Sequence, residues 1–257
     1  MSVAVSRRAD GVVTLTLGEV GTLNIVGSAR LEALAAAIRD LGEARVVVLR
    51  GAGERAFIGG ADIREMAALA GPADAEAFIR RIHRVCAAIR TCPVPVIARI
   101  EGWCLGAGLE IAAACDLRLA GEGARFAMPE VRVGIPSVVE AALLPALIGW
   151  GRTRRLLLLG ETLDAAMALG RGLVERVAPA GLLDAAVEEW VGMALQGGAG
   201  AMTAQKRLIA AWEGLPLAEA IAAGIPAFAA AFVGDDPRSM MRKFLDRLRN
   251  TESISKT

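Results

Sequence analysis

The chain has 257 residues, enough for one large domain or a domain with an appendage. Hydrophobic residues make up 54% and aromatic residues only 4%, with no tyrosine, so any core must come from close packing of Ala, Leu, Val and Ile. Twenty-nine Lys and Arg against 28 Asp and Glu leave a charge of +1, which argues against nucleic acid or an anionic membrane as the main partner.

The first residues, MSVAVSRRADG, hold no apolar signal core. Val3 to Ser6 and Val12 to Leu17 alternate apolar and polar residues around Asp10-Gly11, a β-hairpin signal. Gly18 to Gly27 reads as a loop. Ser28 can cap a helix running to about Leu41, with Leu31, Leu34, Ala35, Ile38 and Leu41 at helical spacing. Val46 to Arg50 is a short buried strand, so strand, helix and strand form a crossover unit. In Arg55 to Met66, Gly59 and Gly60 allow a sharp backbone turn and Asp62 is placed to start a helix. Pro72 to Arg90 is an amphipathic helix with Phe78, Ile82, Val85 and Ile89 on one stripe. His83 on that helix has no second histidine to join in a metal cluster, and a surface or helix-packing role is expected for it.

An apolar strand comes next, Val94 to Ile100, then the small-residue turn Gly106-Ala107-Gly108 and a helix from about Leu109 to Cys115. Glu110 stands in the otherwise apolar stretch LEIAAAC. An ionised carboxylate there carries a large desolvation cost unless it faces a polar pocket or takes up a proton. The first N–H groups of a helix have no internal partner and lie at the positive end of its dipole. They can therefore hold a developing negative charge, and Ala107 shares a helix face with Glu110. A strand and a loop lead on to Met128-Pro129-Glu130, whose carboxylate lies 20 positions after Glu110. A buried ion pair at a tight turn would account for Glu110 equally well at this point.

Beyond Ile135 the pattern is helical: Val138 to Ile148, Thr153 to Leu159 and Asp164 to Leu169, separated by glycines. Gly172 to Val177 can be one more strand and Leu182 to Leu195 a helix. Gln196-Gly-Gly-Ala-Gly200 is the clearest linker. After it come three helical segments, Met202 to Trp212, Leu217 to Phe232 and Pro237 to Arg249, and a polar tail, Thr251 to Thr257, expected to be disordered. The expected organisation is an α/β core over 1–195 holding the active site and a helical region over 196–257. The uncharged run Ala220 to Gly234, 15 residues broken by Gly224 and Pro226, is too short to cross a bilayer. Cys86, Cys92, Cys104 and Cys115 have no metal-ligand spacing and read as free thiols. A soluble, cytoplasmic protein without a metal is expected.

Three segments, AFIGGADIREM (56–66), IEGWCLGAGLEIAAACDLRLAGEGARFAMPEVRVGIP (100–136) and GETLDAAMALGRGLVERV (160–177), carry a resemblance. The chain resembles the enoyl-CoA hydratase/isomerase family, the crotonase superfamily, over roughly its whole length. The resemblance implies an α/β spiral of ββα units with a C-terminal helical region that packs on neighbouring subunits, in trimers or in hexamers made of two trimers. It implies an acyl-CoA thioester as substrate, with coenzyme A as part of that substrate and no separate cofactor. By matching motifs, the two backbone N–H groups that bind the thioester oxygen fall at Gly59 and Ala107. The two glutamates of a hydratase fall at Glu110, which orients and activates water, and Glu130, which exchanges the proton at Cα. Ala61, Asp62 and Ile63 match the loop around the adenine and phosphates, and Lys243 and Phe244 a C-terminal segment that touches coenzyme A from a neighbouring subunit.

The chemistry explains these residue types. Adding water to a 2-enoyl thioester builds negative charge on its oxygen, and each aimed donor contributes roughly 3–4 kcal/mol to holding it. One carboxyl then accepts a proton from water while the other delivers one to Cα. The same set could shift a double bond or hydrolyse a thioester, and a non-catalytic acyl-CoA-binding protein could keep the fold. Where many hydratases have a glycine-rich stretch after the proline, this chain has Ser137-Val-Val-Glu140. Glu140 either faces the acyl pocket, with Trp103 as a second pocket candidate, or pairs within the helix starting near Ser137.

Overall fold

The structure, a computed structural model, describes residues 3–254, with side chains to residue 249. It opens with the hairpin β1 (Ala4–Arg7) and β2 (Val12–Leu17), followed by helix α1 (Ser28–Arg39) and strand β3 (Val46–Gly51). β2 and β3 pair in parallel, as a strand–helix–strand crossover requires. Leu31, Leu34, Ala35, Ile38 and Leu41 are all buried. Ser28 does not cap α1. Gly27 occupies the cap position, and the Ser28 hydroxyl is drawn instead to Glu65, far along the chain.

The chain then repeats one pattern. A strand of a main sheet is followed by a three-residue strand of a second sheet and then by a helix. The first turn is β3, β4 (Ala56–Ile58) and the helices α2 (Ile63–Ala67) and α3 (Pro72–Thr91). The second is β5 (Val96–Ile100), β6 (Trp103–Leu105) and α4 (Ala107–Ala114). The third is β7 (Leu117–Gly121), β8 (Arg125–Ala127) and a 3-10 turn, Glu130–Val133. A second 3-10 turn, Val139–Leu143, leads into α5 (Leu144–Ile148) and α6 (Trp150–Leu159). Strand β9 (Thr162–Asp164), helix α7 (Ala165–Arg171), strand β10 (Arg176–Ala178) and helix α8 (Leu183–Gln196) complete the series.

The main sheet has the order β1-β2-β3-β5-β7-β10 and is parallel apart from β1. The second sheet has the order β4-β6-β8-β9, with β9 antiparallel. The sequence pattern does not show this second sheet, because three residues are too few to display an alternation. In the same way β9 occupies residues expected to be linker and helix start.

Contacts divide the chain into two compact units, with the division between Gly192 and Met193, inside α8. The second unit holds α9 (Ala199–Trp212), α10 (Leu217–Ala231) and α11 (Asp236–Ile254). The expected linker is shorter than its composition suggests, since α8 ends at Gln196 and α9 begins at Ala199. The expected disordered tail is helical as far as Ile254, for no Gly or Pro after Pro237 interrupts α11; the last three residues lie outside the described ones. Among the described residues no single helix is long and apolar enough to cross a membrane.

Helix α4 is anchored in two places. Gly108, in its first turn, lies so close to β4 that a Cβ there would stand 2.3 Å from the Ile58 carbonyl oxygen. At the other end, the buried Arg118 donates to the carbonyls of Cys115 (2.7 Å) and Leu173 (3.0 Å) and pairs with Glu175. The helix is thus held at both ends, and its carboxylate with it.

Candidate active site

The N-terminus of α4, the turn after β4, one side of α3 and the segment from Pro129 to Val138 line a cavity of about 200 Å³. Glu110 and Glu130 both line it, beside Gly59, Ala61, Ile63, Ala107 and Ser137. Apolar side chains form much of the wall, and Ile63, Val133, Ile135 and Val138 are 39–59% exposed around it. The residues singled out from 59–63 and 106–110 are therefore brought together by the spiral, although they come from successive turns of it.

Glu110 is buried and sits in the first turn of α4. Burial, with the charges of Glu130 and Glu140 behind it, pushes its carboxyl up to about 8, while the backbone amides of Ala141 and Val138 pull the other way. Glu130 opens the first 3-10 turn. Burial raises it as well, opposed by its own amide and by the Ser137 hydroxyl, which donates to Oε2 at 2.9 Å. Gly106 makes room for it: its φ is +50°, and a Cβ there would stand 2.4 Å from Glu130 Oε1. Only glycine meets both demands easily. The Ser137 contact has no signal in the sequence beyond a hydroxyl placed seven residues on.

The two expected amides differ. Ala107 is the first residue of α4, so its N–H has no acceptor within the helix. Gly59 was expected to supply the other free amide, and it does not. Its N–H donates to the Leu23 carbonyl at 2.7 Å. Two residues on, Val26 and Ala61 form an isolated parallel bridge that uses the Gly60 carbonyl and the Asp62 amide. In such a bridge the central residue turns its own N–H away from the partner strand. The Ala61 N–H makes no hydrogen bond among the described residues, and Ala61 lies on the cavity wall. The amide available beside Ala107 is therefore Ala61, not Gly59.

Asn24 arranges this loop. It is fully buried at φ +53°, and its side-chain amide donates to the carbonyls of Ala56 (2.6 Å) and Ala52 (3.2 Å). The loop before α1 is thereby fastened to β4 and its Leu23 carbonyl is presented to Gly59. Asp62 caps α2, accepting from the amides of Arg64 (2.9 Å) and Glu65 (3.3 Å), as expected for a helix start.

Neither tentative pocket residue lines the cavity. Trp103 sits at the start of β6, two residues before Leu105 reaches the cavity wall. Glu140 is buried behind Glu110 and pairs with His83 of α3 instead of within its own turn. Lys243 and Phe244 lie on α11 of the second unit, where Phe244 is 55% exposed. The four cysteines are buried thiols outside any disulfide, and no cluster of metal-ligating side chains occurs among the described residues.

The arrangement can polarise one oxygen with two amides and exchange protons with two carboxyls beside it. Comparison with known proteins agrees in kind. Residues 7–252 match the family model described as enoyl-CoA hydratase/isomerase. The chain is 30% identical over 240 residues to a short-chain-enoyl-CoA hydratase of Clostridium acetobutylicum, covering 92% of each chain. A solved enoyl-CoA hydratase of Mycobacterium smegmatis superimposes with a TM-score of 0.91 at 31% identity, covering 95% of this chain and 96% of that one. One from Bacillus anthracis gives 0.90 at 29% identity, covering 96% and 97%. The expected crotonase-like α/β spiral with a helical C-terminal region is the fold observed.

Proposed function

The chain belongs to the enoyl-CoA hydratase/isomerase family, and from that premise we propose that it adds water reversibly across the double bond of a 2-enoyl-CoA thioester. The observation that carries this reading is the meeting of two amides, Ala61 and Ala107, with two carboxyls, Glu110 and Glu130, around one cavity. The thioester oxygen lies between the amides, which hold the enolate as it forms. Glu110 takes a proton from the attacking water and Glu130 gives one to Cα. The apolar rim of Ile63, Val133, Ile135 and Val138 receives apolar parts of the substrate. Residues 61–63 contact the coenzyme A portion, with Lys243 and Phe244 of a neighbouring subunit. Coenzyme A enters as part of the substrate, and this chemistry needs no resident cofactor.

The same set of groups supports isomerisation, in which a single carboxyl removes and returns a proton. Crotonyl-CoA separates the two. Loss of the conjugated-thioester absorbance supports hydration. Gain of that absorbance from a 3-enoyl-CoA, with crotonyl-CoA untouched, replaces hydration by isomerisation. Tight binding of both esters without reaction leaves a binding protein.

A further inference from the structure

A carboxyl group has two oxygens, and its acidic hydrogen can sit on either. A proton donor therefore works best when one oxygen is committed elsewhere and the other faces the reacting atom. Glu130 is arranged in that way. Ser137 is the one side chain that donates to it among the described residues, and its hydroxyl takes Oε2 at 2.9 Å. The other oxygen, Oε1, lies 2.4 Å from the point where a Cβ on Gly106 would stand. Gly106, Glu130 and Ser137 all line the cavity.

The chain between the two residues holds them together. Gly134, at φ +79°, ends the 3-10 turn that Glu130 opens, and the Ile135 amide donates back to the Glu130 carbonyl at 3.2 Å. Pro136 has a fixed φ and narrows the approach of Ser137 to the turn. A glycine at position 137 would leave Oε2 without this donor. Arg132, on the same turn, does not compete, for its guanidinium donates to the Leu159 carbonyl at 3.3 Å.

We propose that Ser137 is the positioning residue of the proton donor: in the hydration reading, on which this rests, it occupies Oε2 so that Oε1 carries the proton delivered to Cα. As water adds, a water O–H bond breaks, its oxygen bonds to Cβ and its proton passes to Glu110. The O–H bond at Oε1 breaks and a C–H bond forms at Cα. Negative charge then appears on Glu130, and a hydroxyl already aimed at Oε2 meets it without reorganising. Burial opposes that charge and the Ser137 hydroxyl favours it. Ser137 keeps its own proton throughout. Solvent takes a proton from Glu110 and returns one to Glu130 once product leaves, so protons balance over the cycle. Ser137 acts through Glu130 and does not touch substrate.

The test is a double-mutant cycle on crotonyl-CoA hydration with Ser137→Ala, Glu130→Gln and the two combined. Ser137→Ala is expected to lower kcat about tenfold or more, as loss of a hydrogen bond to a charged group does. KM should move less than about twofold, since no substrate contact is removed. Ser137→Thr, which keeps the hydroxyl, should recover most of the loss. In the Glu130→Gln background, Ser137→Ala should change the residual kcat by less than about twofold, because its effect runs through that carboxyl. Ser137 is half-buried, and should Ser137→Ala fail to fold, Ser137→Cys keeps the volume with a weak donor and carries the same comparison. A wild-type kcat in Ser137→Ala overturns the role, as does a loss that appears in KM, a loss undiminished in the Glu130→Gln background, or a Ser137→Thr as slow as Ser137→Ala. If the wild type leaves crotonyl-CoA untouched but shifts the double bond of a 3-enoyl-CoA, hydration falls, and the same cycle on that reaction decides Ser137. A wild type inert toward both esters overturns both.

Discussion

Glu110 makes the stability of this protein depend on pH in a direction opposite to that of most carboxylates. Its folded-state value is raised to about 8 from an ordinary 4.5. Between those values the unfolded chain has released a proton that the folded chain keeps. Stability therefore falls as pH rises through that window, by at most about 1.4 kcal/mol per unit, and levels off above it. Glu130 is shifted in the same direction. Glu110→Gln is expected to melt with the wild type near pH 4 and several degrees above it at pH 8, as thermal melts at the two pH values will read. In the free enzyme kcat/KM for hydration should climb as Glu110 ionises toward about pH 8. Glu110→Gln and Glu130→Gln should each lower turnover about a hundredfold or more while acyl-CoA binding, read by calorimetry, changes only a few-fold. Wild-type turnover in either variant removes that residue from the mechanism. Glu110 is legible in the sequence because a charge among apolar residues announces a special environment, and Glu130 because its segment resembles the family's motif. The choice between Gly59 and Ala61 is not legible, since it depends on which amide the distant Leu23 carbonyl and the Val26 bridge use up.

At the scale of elements, the close approach of β4 to α4 sets the cavity. Gly108→Ala places a methyl against the Ile58 carbonyl and should destabilise the protein by about 2 kcal/mol or more, because backbone has to shift on one side. Denaturant unfolding measures this, and a cost below half that figure would mean the two elements separate easily. Asn24→Ala leaves the Ala52 and Ala56 carbonyls without their donor and should cost about 1–3 kcal/mol by the same measurement. Helices α1 and α3 are legible from their buried stripes, because a period of 3.6 is visible over several turns. The second sheet is not, because its strands are each three residues long and are defined by their neighbours.

For the whole molecule, the second unit presents a surface that calls for cover. On α10 Leu217, Ile221, Ile225 and Phe228 fall on one stripe and are each 66–77% exposed. Such a stripe is unusual on a monomer in water. With family membership it supports the proposal of a trimer or a hexamer. Sedimentation should give three or six times the monomer mass, and Ile221→Asp with Ile225→Asp should reduce it with helix content retained. A monomeric wild type refutes the assembly.

The family, the order of the main-sheet strands and the long helices, the apolar faces and the two suspect carboxylates are determined by the sequence itself. Each is written in short-range periodicity or in a residue type at odds with its neighbours. Only the tertiary structure decides which amides stay free at the cavity, that Ser137 meets Glu130, and that Glu140 turns back to His83. The reason is that an unpaired donor or acceptor is what remains after every other group has found a partner, and most of those partners lie far away along the chain.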